Sequence, residues 1–137
     1  MTMTELSKAD FEKLSEFRYQ LRLFLRFSEG VCREHGLTPL QYQMLLHVQG
    51  YPGRDWATIG ELAERLQAHH HGVVALAGRC EELGLIERRT GTRDRRQVEI
   101  HLTEQGRRQV TKLAALHRDE IRMLKGKLVL PDLTPPM

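Results

Sequence analysis

Apolar residues between positions 10 and 35 recur every three or four residues, which predicts one long helix with an apolar face. Gly36 marks the end of this helix. A helix with so wide an apolar face needs a surface to pack against, and a second copy of a short chain can supply one. The residues on this face are Phe11, Leu14, Phe17, Leu21, Phe24, Leu25, Ser28, Val31 and Cys32.

Three shorter helical patterns follow. Thr38 and Thr58 each stand three residues before a Gln or Glu, an arrangement typical of a capped helix start. About three residues separate the helix that begins near Thr58 from the next one, which ends at Gly84, and two helices joined by so short a turn form a helix-turn-helix. The residues predicted to be buried in the three helices are Leu40, Met44, Leu45, Val48, Ile59, Leu62, Ala63, Leu66, Val73, Leu76, Ala77, Cys80 and Leu83.

The repeat changes after Gly84 from that of a helix to that of a strand. Segment 85–90 predicts one strand, and segment 97–102 alternates polar and apolar residues as a half-buried strand does. The loop between them contains Gly91, so the two strands form a β-hairpin. Residues 54–57 form a short connector or a brief strand.

A final helix begins after Thr103 and is expected to reach about Leu130, before three prolines stop it and leave a frayed tail. Its apolar face carries Val110, Leu113, Ala114, His117, Ile121, Leu124 and Leu128. The predicted fold is mainly α with a small β-hairpin wing. A winged helix-turn-helix core, residues 37–102, lies between two long flanking helices, 10–35 and 103–130, in one domain of residues 1–137.

The composition excludes several functional classes. Hydrophobic residues make up 40% and charged residues 28% of the 137 residues, as in soluble globular proteins. The chain lacks an apolar run of the roughly 18 residues that a membrane span needs, and its N-terminus lacks a signal core. Two cysteines are too few for a disulfide framework, so we expect a cytoplasmic protein. The motifs of phosphate-binding loops, nucleophile elbows and HExxH metalloproteases are absent, which predicts no enzyme activity and no cofactor.

Positive charge is concentrated in the predicted hairpin. Five arginines and a single acid lie between positions 88 and 96, a local charge of +4 against +3 for the whole chain. Such a wing can lie along phosphates and insert an arginine into the minor groove. We expect Asp94 to pair with Arg96 and fix the wing, while Arg93 and Arg95 face DNA.

The helix before the hairpin begins with His69, His70 and His71, where a recognition helix meets base edges and phosphates. Gly72 and Gly78 each cost about 1 kcal/mol of helix propensity against alanine. Either a close approach to DNA or tight packing within the protein could explain them. The candidate DNA-binding residues are His69, His70, His71, Val74, Ala75, Arg79, Arg93, Asp94, Arg95 and Arg96.

Residues 37–106 resemble the multiple-antibiotic-resistance regulator (MarR) family of bacterial and archaeal transcription factors. The resemblance is carried by LAERL at 62–66, by RCEELGLIER at 79–88, and by DRR at 94–96 followed after five residues by LT at 102–103. It implies a homodimer, built from the first and last helices, that binds a pseudo-palindromic operator on double-stranded DNA. It also implies a salt bridge between Asp94 and Arg96 in the wing, with Arg95 reaching the minor groove.

The same resemblance implies a repressor that is released by a small aromatic or phenolic ligand, or by cysteine oxidation. The chain departs from the family pattern in three places: Cys80 replaces a larger residue, the last helix is short, and the consecutive histidines resemble only some members. The candidate effector-binding residues are Phe24, Phe27, His35, Tyr42 and Trp56, which could equally pack the core.

Other interpretations compete with DNA binding. Adjacent helical residues point about 100° apart, so His69, His70 and His71 cannot all bind one metal ion, and we expect no metal site. Cys80 is expected in the core, and Cys32 would be the residue of a redox-sensing regulator. A winged helix can also serve as a protein-interaction module without DNA, but the cluster of arginines suits phosphate better.

Overall fold

The computed structural model describes residues 5–136, and within them the chain forms five helices and three strands. These are α1 (Lys8–Glu34), α2 (Pro39–Gln49), β1 (Trp56–Thr58), α3 (Ile59–Leu66), α4 (His70–Glu82), β2 (Ile86–Thr90), β3 (Val98–Leu102) and α5 (Glu104–Leu124). Their order and type confirm the predicted mainly helical winged fold.

Side-chain caps fix where the helices begin. The Thr38 hydroxyl accepts the N–H of Gln41 at 3.2 Å, and the Gln41 side chain accepts the N–H of Thr38 at 3.0 Å. Thr58 and Glu61 form the same reciprocal pair at the start of α3. Both predicted capping boxes are therefore confirmed. The turn between α3 and α4 passes through Gln67, whose φ of 51° lies in the left-handed region.

The three strands form one antiparallel sheet in the order β1-β3-β2. β3 pairs with β2 across the hairpin, with Thr90 opposite Val98, and with β1 on its other side, with Trp56 opposite His101. The brief strand at 54–57 thus becomes an edge of the wing sheet. β3 does not alternate as predicted, because Glu99 is buried and Val98 is exposed.

The core lies between α2, α3, α4, α5 and the sheet, and its fully buried members include Met44, Leu45, Leu62, Val73, Ala77, Cys80, Ile100 and Leu113. Two residues predicted to be buried are exposed. Leu40 lies in the first turn of α2 and Leu83 follows the last helical residue of α4, so neither faces the core. Leu85 is buried instead, since the turn through Gly84 brings its N–H to the carbonyl of Cys80 at 3.0 Å.

The last helix ends at Leu124, earlier than predicted. Gly126 turns the chain with a φ of +86°, and residues beyond it return along the start of α1. The N–H of Thr134 donates to the Asp10 carboxylate at 3.0 Å, and Lys13 Nζ donates to the carbonyl of Asp132 at 2.8 Å. The expectation of a frayed tail is therefore wrong, because the Asp10 carboxylate that caps α1 also accepts a bond from the tail.

Most of the apolar face predicted for α1 is only partly covered. Asp10, Val31 and Cys32 are the buried residues of this 27-residue helix, whereas Phe11 and Leu25 are exposed. Within residues 5–136, no helix has the length and apolar character needed to cross a bilayer.

Candidate nucleic-acid interface

One side of α4 faces the core and the other is open. Val73, Ala77 and Cys80 are buried on the inner side. The six candidate residues on this helix and at its start are all exposed: His69, His70, His71, Val74, Ala75 and Arg79. His69 is the N-cap residue and its side chain makes no capping bond, so the first N–H groups of α4 remain available to an anion.

The histidines lie side by side rather than converging on a point. The rings of His69 and His71 stack with centroids 5.9 Å apart and planes within 5°. In the described part of the chain, no three His, Cys, Asp or Glu side chains are grouped as a metal site requires.

The two glycines of α4 have space around them. A Cβ atom built on Gly72 or Gly78 would meet no other atom of residues 5–136 within 4 Å, apart from the helix itself. Contacts within the chain therefore do not account for either glycine.

The tip of the wing is a tight turn built around Gly91. Its N–H donates to the carbonyl of Gln97 at 2.9 Å, and the N–H of Gln97 donates to the carbonyl of Asp94 at 3.0 Å. A Cβ on Gly91 would lie 2.3 Å from that Asp94 oxygen, so a side chain cannot be accommodated here without moving the turn.

Asp94 and Arg96 form the predicted pair. Arg96 Nε and Nη2 donate to the two carboxylate oxygens, each at 3.1 Å, and the Arg96 N–H donates to Oδ1 at 3.0 Å. The hydrogen bonds from Arg96 hold the pKa of Asp94 below its ordinary value, and the same pairing raises the pKa of Arg96. Both groups therefore stay charged at neutral pH.

Three of the five wing arginines have carboxylate partners. Besides Arg96, Arg88 binds Glu81 of α4 at 2.8 Å and Arg89 binds Glu87. Among residues 5–136, neither Arg93 nor Arg95 has a carboxylate within 4.0 Å. The local charge of +4 therefore overstates the unpaired charge, which belongs to two arginines at the tip.

The candidate effector residues do not line one cavity. Phe24, Phe27 and Tyr42 surround the ring of His117, and Tyr42 stacks on it at 4.7 Å. His35 lies at the end of α1, where its Nδ1 contacts the carbonyl oxygen of Val31 at 2.8 Å. These side chains fill the space between α1, α2 and α5.

Trp56 lies apart from the other four candidates, on the wing sheet. Its ring stacks on His101 with centroids 5.8 Å apart, and the guanidinium of Arg54 covers it at 4.0 Å. The cavity that Trp56 lines contains none of Phe24, Phe27, His35 or Tyr42.

His117 has a polar role that its sequence pattern did not predict. This buried residue contacts the Leu113 carbonyl through Nδ1 and the Ser28 hydroxyl through Nε2, both at 2.8 Å, and so joins α5 to α1. His117 stands on an apolar helix face, so the pattern predicted only a packing role for it. Ser28, a polar residue on the apolar face of α1, could have indicated a hydrogen-bond partner for His117.

Both cysteines are buried. Burial raises the pKa of Cys80 to about 11, and it also raises the pKa of Cys32 against the opposing hydrogen bond from Ser28. The core position predicted for Cys80 is confirmed. A raised pKa keeps a thiol protonated and slows its oxidation, which gives Cys32 no support as a redox sensor.

A helix-turn-helix whose second helix has a free face, followed by a projecting hairpin, defines a winged helix-turn-helix protein. Residues 35–97 match the sequence model of the MarR family. The match covers 63 of the 137 residues, so the winged helix-turn-helix core of the chain is similar in sequence to that of MarR family proteins.

Similar proteins agree with this assignment. The chain is 32% identical over 89 residues, 65% of its length and 52% of the relative's, to a candidate transcriptional regulatory protein for the hcr operon of Thauera aromatica. It is 32% identical over 73 residues, 53% of its length, to 45% of the HTH-type transcriptional repressor MdtR of Bacillus subtilis. The chain thus spans about half the length of the curated relatives it matches.

Among solved structures, the fold is similar to that of AbsC, a MarR family transcriptional regulator from Streptomyces coelicolor. The TM-score is 0.77 at 23% identity, and the match covers 93% of this chain and 86% of AbsC.

Proposed function

We propose that this protein is a DNA-binding transcription regulator rather than an enzyme, and that it acts in the cytoplasm as a homodimer on a pseudo-palindromic operator. The observation that carries the proposal is the pairing pattern of the wing. Three arginines are held by acids, whereas Arg93 and Arg95 have no carboxylate within 4.0 Å among residues 5–136, and both are exposed in the loop at the tip.

The unpaired arginines suit the DNA backbone. An arginine without a carboxylate partner can neutralise a phosphate or enter the minor groove without first breaking an ion pair. The Asp94–Arg96 pair holds the tip rigid, so less conformational entropy is lost when Arg95 is ordered on DNA.

The free side of α4 suits the major groove. His69, His70 and His71 provide hydrogen-bonding groups at its start, and small side chains further along allow the helix to lie deep. Base contacts would come from these residues and phosphate contacts from the wing, together with Arg79.

Dimerisation is supported by apolar side chains that the single chain leaves uncovered. Phe11 and Tyr19 on α1, and Ile121 and Met123 on α5, are each more than half exposed. Burying such a surface against a second copy would stabilise both, and it would set two copies of α4 at the fixed spacing that a palindromic site requires.

We further propose that the protein represses transcription and is released by a small effector. A dimer seated on an operator blocks access of other proteins to that DNA, and MdtR, one of the relatives, is a repressor. The cluster of Phe24, Phe27 and Tyr42 around His117 joins α1 to α5, so a ligand that opened it would change the spacing of the two DNA-binding cores.

The experiment is a titration of fluorescent duplex DNA at several salt concentrations, on duplexes selected by the protein from a random pool. The logarithm of the association constant should fall with the logarithm of salt by about 0.9 per neutralised phosphate. Arg95→Ala removes one cation from each half of the dimer, so it should reduce this slope by about twice that amount and weaken all sequences alike. Arg89→Ala is the matched control, because Arg89 is already paired with Glu87 and should change the slope less.

His70→Ala should instead change which sequences the protein selects. A flat salt response would contradict the proposal and favour a protein-interaction module. Identical binding profiles for Arg95→Ala and His70→Ala would contradict the division between phosphate and base contacts.

A further inference from the structure

Four arginines form a line along the exposed side of α1. Arg18, Arg22 and Arg26 follow one another at intervals of four residues, and Arg33 stands one turn before the helix gives way to the next loop. At about 100° of rotation per residue, the four side chains project from the helix within a sector of about 80°. All four are exposed, and the buried residues of α1 project in other directions. We call these four residues the arginine stripe.

The charge of the arginine stripe is not neutralised within the chain. Among residues 5–136, no carboxylate lies within 4.0 Å of any of its guanidinium groups. One acid, Glu29, shares this side of α1 and is itself exposed. The stripe and Glu29 together carry a charge of +3, which equals the net charge of the whole chain.

The arrangement works against the stability of the helix. Side chains four residues apart are neighbours on a helix surface, and like charges at this spacing repel each other. Arg18 and Arg22 form one such pair, and Arg22 and Arg26 form the next. A partner that carries negative charge would remove this repulsion when it binds.

The apolar residues near the stripe do not form the centre of a protein interface. Protein interfaces depend on a buried cluster of aromatic and aliphatic side chains. The exposed residues Tyr19 and Leu25 lie on opposite edges of the stripe, and Phe11 lies beyond its first arginine. A surface of cations without an apolar centre is typical of proteins that bind nucleic acid.

The length of the stripe suits duplex DNA. A rise of 1.5 Å per residue places arginines four residues apart about 6 Å from each other along the helix, and the two ends of the stripe about 22 Å apart. One strand of a duplex presents a phosphate about every 3.4 Å along its axis, so the stripe can lie beside about six phosphates. A guanidinium can donate two parallel hydrogen bonds to one phosphate.

The stripe is separate from the other surfaces proposed to bind. The proposed contacts to DNA lie on α4 and the wing, whereas α1 packs against α2 and α5. The apolar residues proposed to join two copies lie in the first half of α1 and at the end of α5. The stripe extends past them towards the end of α1, so we expect Arg26 and Arg33 to stay accessible in such a dimer.

We propose that the arginine stripe binds the phosphate backbone of a second segment of double-stranded DNA, so that one protein holds two duplexes. The contacts are to phosphates alone, so this binding is independent of base sequence. Binding to the stripe depends only on the charges of α1. The joining of two duplexes rests, in addition, on the proposed function.

The experiment begins by saturating the protein with an unlabelled duplex of the sequence that it selects. A fluorescent duplex of unrelated sequence and about 20 base pairs, longer than the stripe, is then titrated at low salt, and its anisotropy reports a second binding event. We expect the wild type to bind this second duplex. The logarithm of the association constant should fall with the logarithm of salt by about 0.9 per neutralised phosphate.

The test variant combines Arg22→Gln with Arg26→Gln. It should weaken binding of the second duplex by about tenfold or more and lower the salt slope by about 1.8, because two cations are lost. Its affinity for the selected duplex should stay within about twofold of the wild type, since neither residue belongs to α4 or the wing. Unchanged or increased thermal stability would show that the fold is intact.

The control variant combines Arg107→Gln with Arg108→Gln. It removes the same charge from an exposed part of α5, where both arginines lie within 4.0 Å of Glu104. It should therefore weaken the second duplex much less than the test variant does. Equal losses in the two variants would show a general effect of charge and overturn the proposal.

Other outcomes would also overturn the proposal. One is a wild-type protein that binds no second duplex once it is saturated, and another is a test variant that binds the second duplex as the wild type does. Displacement of the second duplex by poly-glutamate more effectively than by unlabelled duplex, at equal concentrations of charge, would identify an acidic protein as the partner instead.

Failure of the proposed function can be distinguished from failure of this inference. If the protein selects no sequence from a random pool, the proposed function is contradicted. The titration is then made without a first duplex, on protein that carries Arg93→Ala and Arg95→Ala. Binding that is lost on further replacement of Arg22 and Arg26 would support the stripe, and binding that does not depend on them would overturn it.

Discussion

At the scale of single residues, Gly106 shows how closely two elements approach. A Cβ at this position would lie 2.0 Å from the carbonyl oxygen of Leu85, where the start of α5 crosses the turn after α4. Two hydrogen bonds from Thr103 hold the same turn. Its N–H donates to the carbonyl oxygen of Leu85 at 3.0 Å, and its hydroxyl donates to the carbonyl oxygen of Gly84 at 2.6 Å. A side chain at Gly106 must therefore displace backbone.

We predict that Gly106→Ala lowers the free energy of unfolding by about 2–4 kcal/mol, because overpacking against backbone cannot be relieved by a rotamer change. Urea denaturation measures this. Gly60→Ala, on α3, is the control, since its Cβ would meet nothing within 4 Å among the described residues, and it should change stability by less than about 1 kcal/mol. Equal effects of the two substitutions would contradict the close approach.

Asp10 makes stability depend on pH. Hydrogen bonds from Thr134 and Ser7 hold the pKa of this carboxyl far below its ordinary value of 3.8. A carboxyl whose pKa is depressed by folding contributes stability above its unfolded pKa, and this contribution is lost as the pH falls below that value.

We therefore predict that Asp10→Asn lowers stability at neutral pH and flattens the fall in stability below about pH 4. Urea denaturation between neutral and acid pH gives the slope. Asp119→Asn, at an exposed position on α5, serves as the control and should follow the wild-type curve. If Asp10→Asn keeps the wild-type slope, the tail does not bind Asp10 as the structure shows.

At the scale of elements, substitution of a glycine in α4 should change protein stability and DNA affinity in opposite directions. A Cβ on Gly78 would meet no atom of the described chain within 4 Å outside the backbone of its own helix, so alanine there should gain helix propensity without strain. We predict that Gly78→Ala raises the free energy of unfolding by about 0.5–1 kcal/mol and weakens DNA binding. Denaturation and duplex titration measure the two effects.

Gly30→Ala, at another open helical position on α1, is the control for helix propensity alone. It should gain stability and keep its DNA affinity. Tighter or unchanged DNA binding by Gly78→Ala would show that α4 does not approach DNA closely at this residue.

Local signals explain which elements could be predicted. The starts of α2, α3 and α5 each have a capping threonine, and the wing has Gly91 between two segments with a strand pattern, so these elements were predicted correctly. Other features depend on contacts between residues distant in sequence. β1 becomes a sheet edge only because β3 lies beside it, and the tail is ordered because Thr134 meets Asp10, 124 residues away.

At the scale of the whole molecule, the uncovered faces of α1 and α5 bear on oligomeric state. Ile121 is 55% exposed on α5. We predict that Ile121→Glu shifts the protein from dimer to monomer in sedimentation equilibrium and weakens operator binding, because a charge cannot be buried unpaired at an apolar interface.

Leu83→Glu is the control for this substitution, since Leu83 is similarly exposed but follows the last residue of α4 and is not part of the uncovered faces of α1 and α5. It should leave the dimer intact. A wild-type protein that sediments as a monomer at all concentrations would contradict the proposed dimer, whatever the variants do.

The candidate site was predictable only in part. Asp94 and Arg96 are two residues apart, so their pairing could be expected from the sequence, whereas Arg88 is paired with Glu81 from another element. Trp56 was grouped with Phe24 by residue type, but its strand carries it to the wing sheet. The residue types therefore indicated which side chains could pair or stack, whereas the order of the strands and helices determined which of them are in contact.

Two acids beside the wing neutralise cations that the wing already carries. Glu81 forms an ion pair with Arg88 and Glu87 forms one with Arg89, and both arginines lie on β2. Tighter attachment to a polyanion could thus be obtained by replacing an acid with a neutral residue, which would unmask a cation already in place. The net charge of the chain would rise by one, the same change that an added lysine would bring.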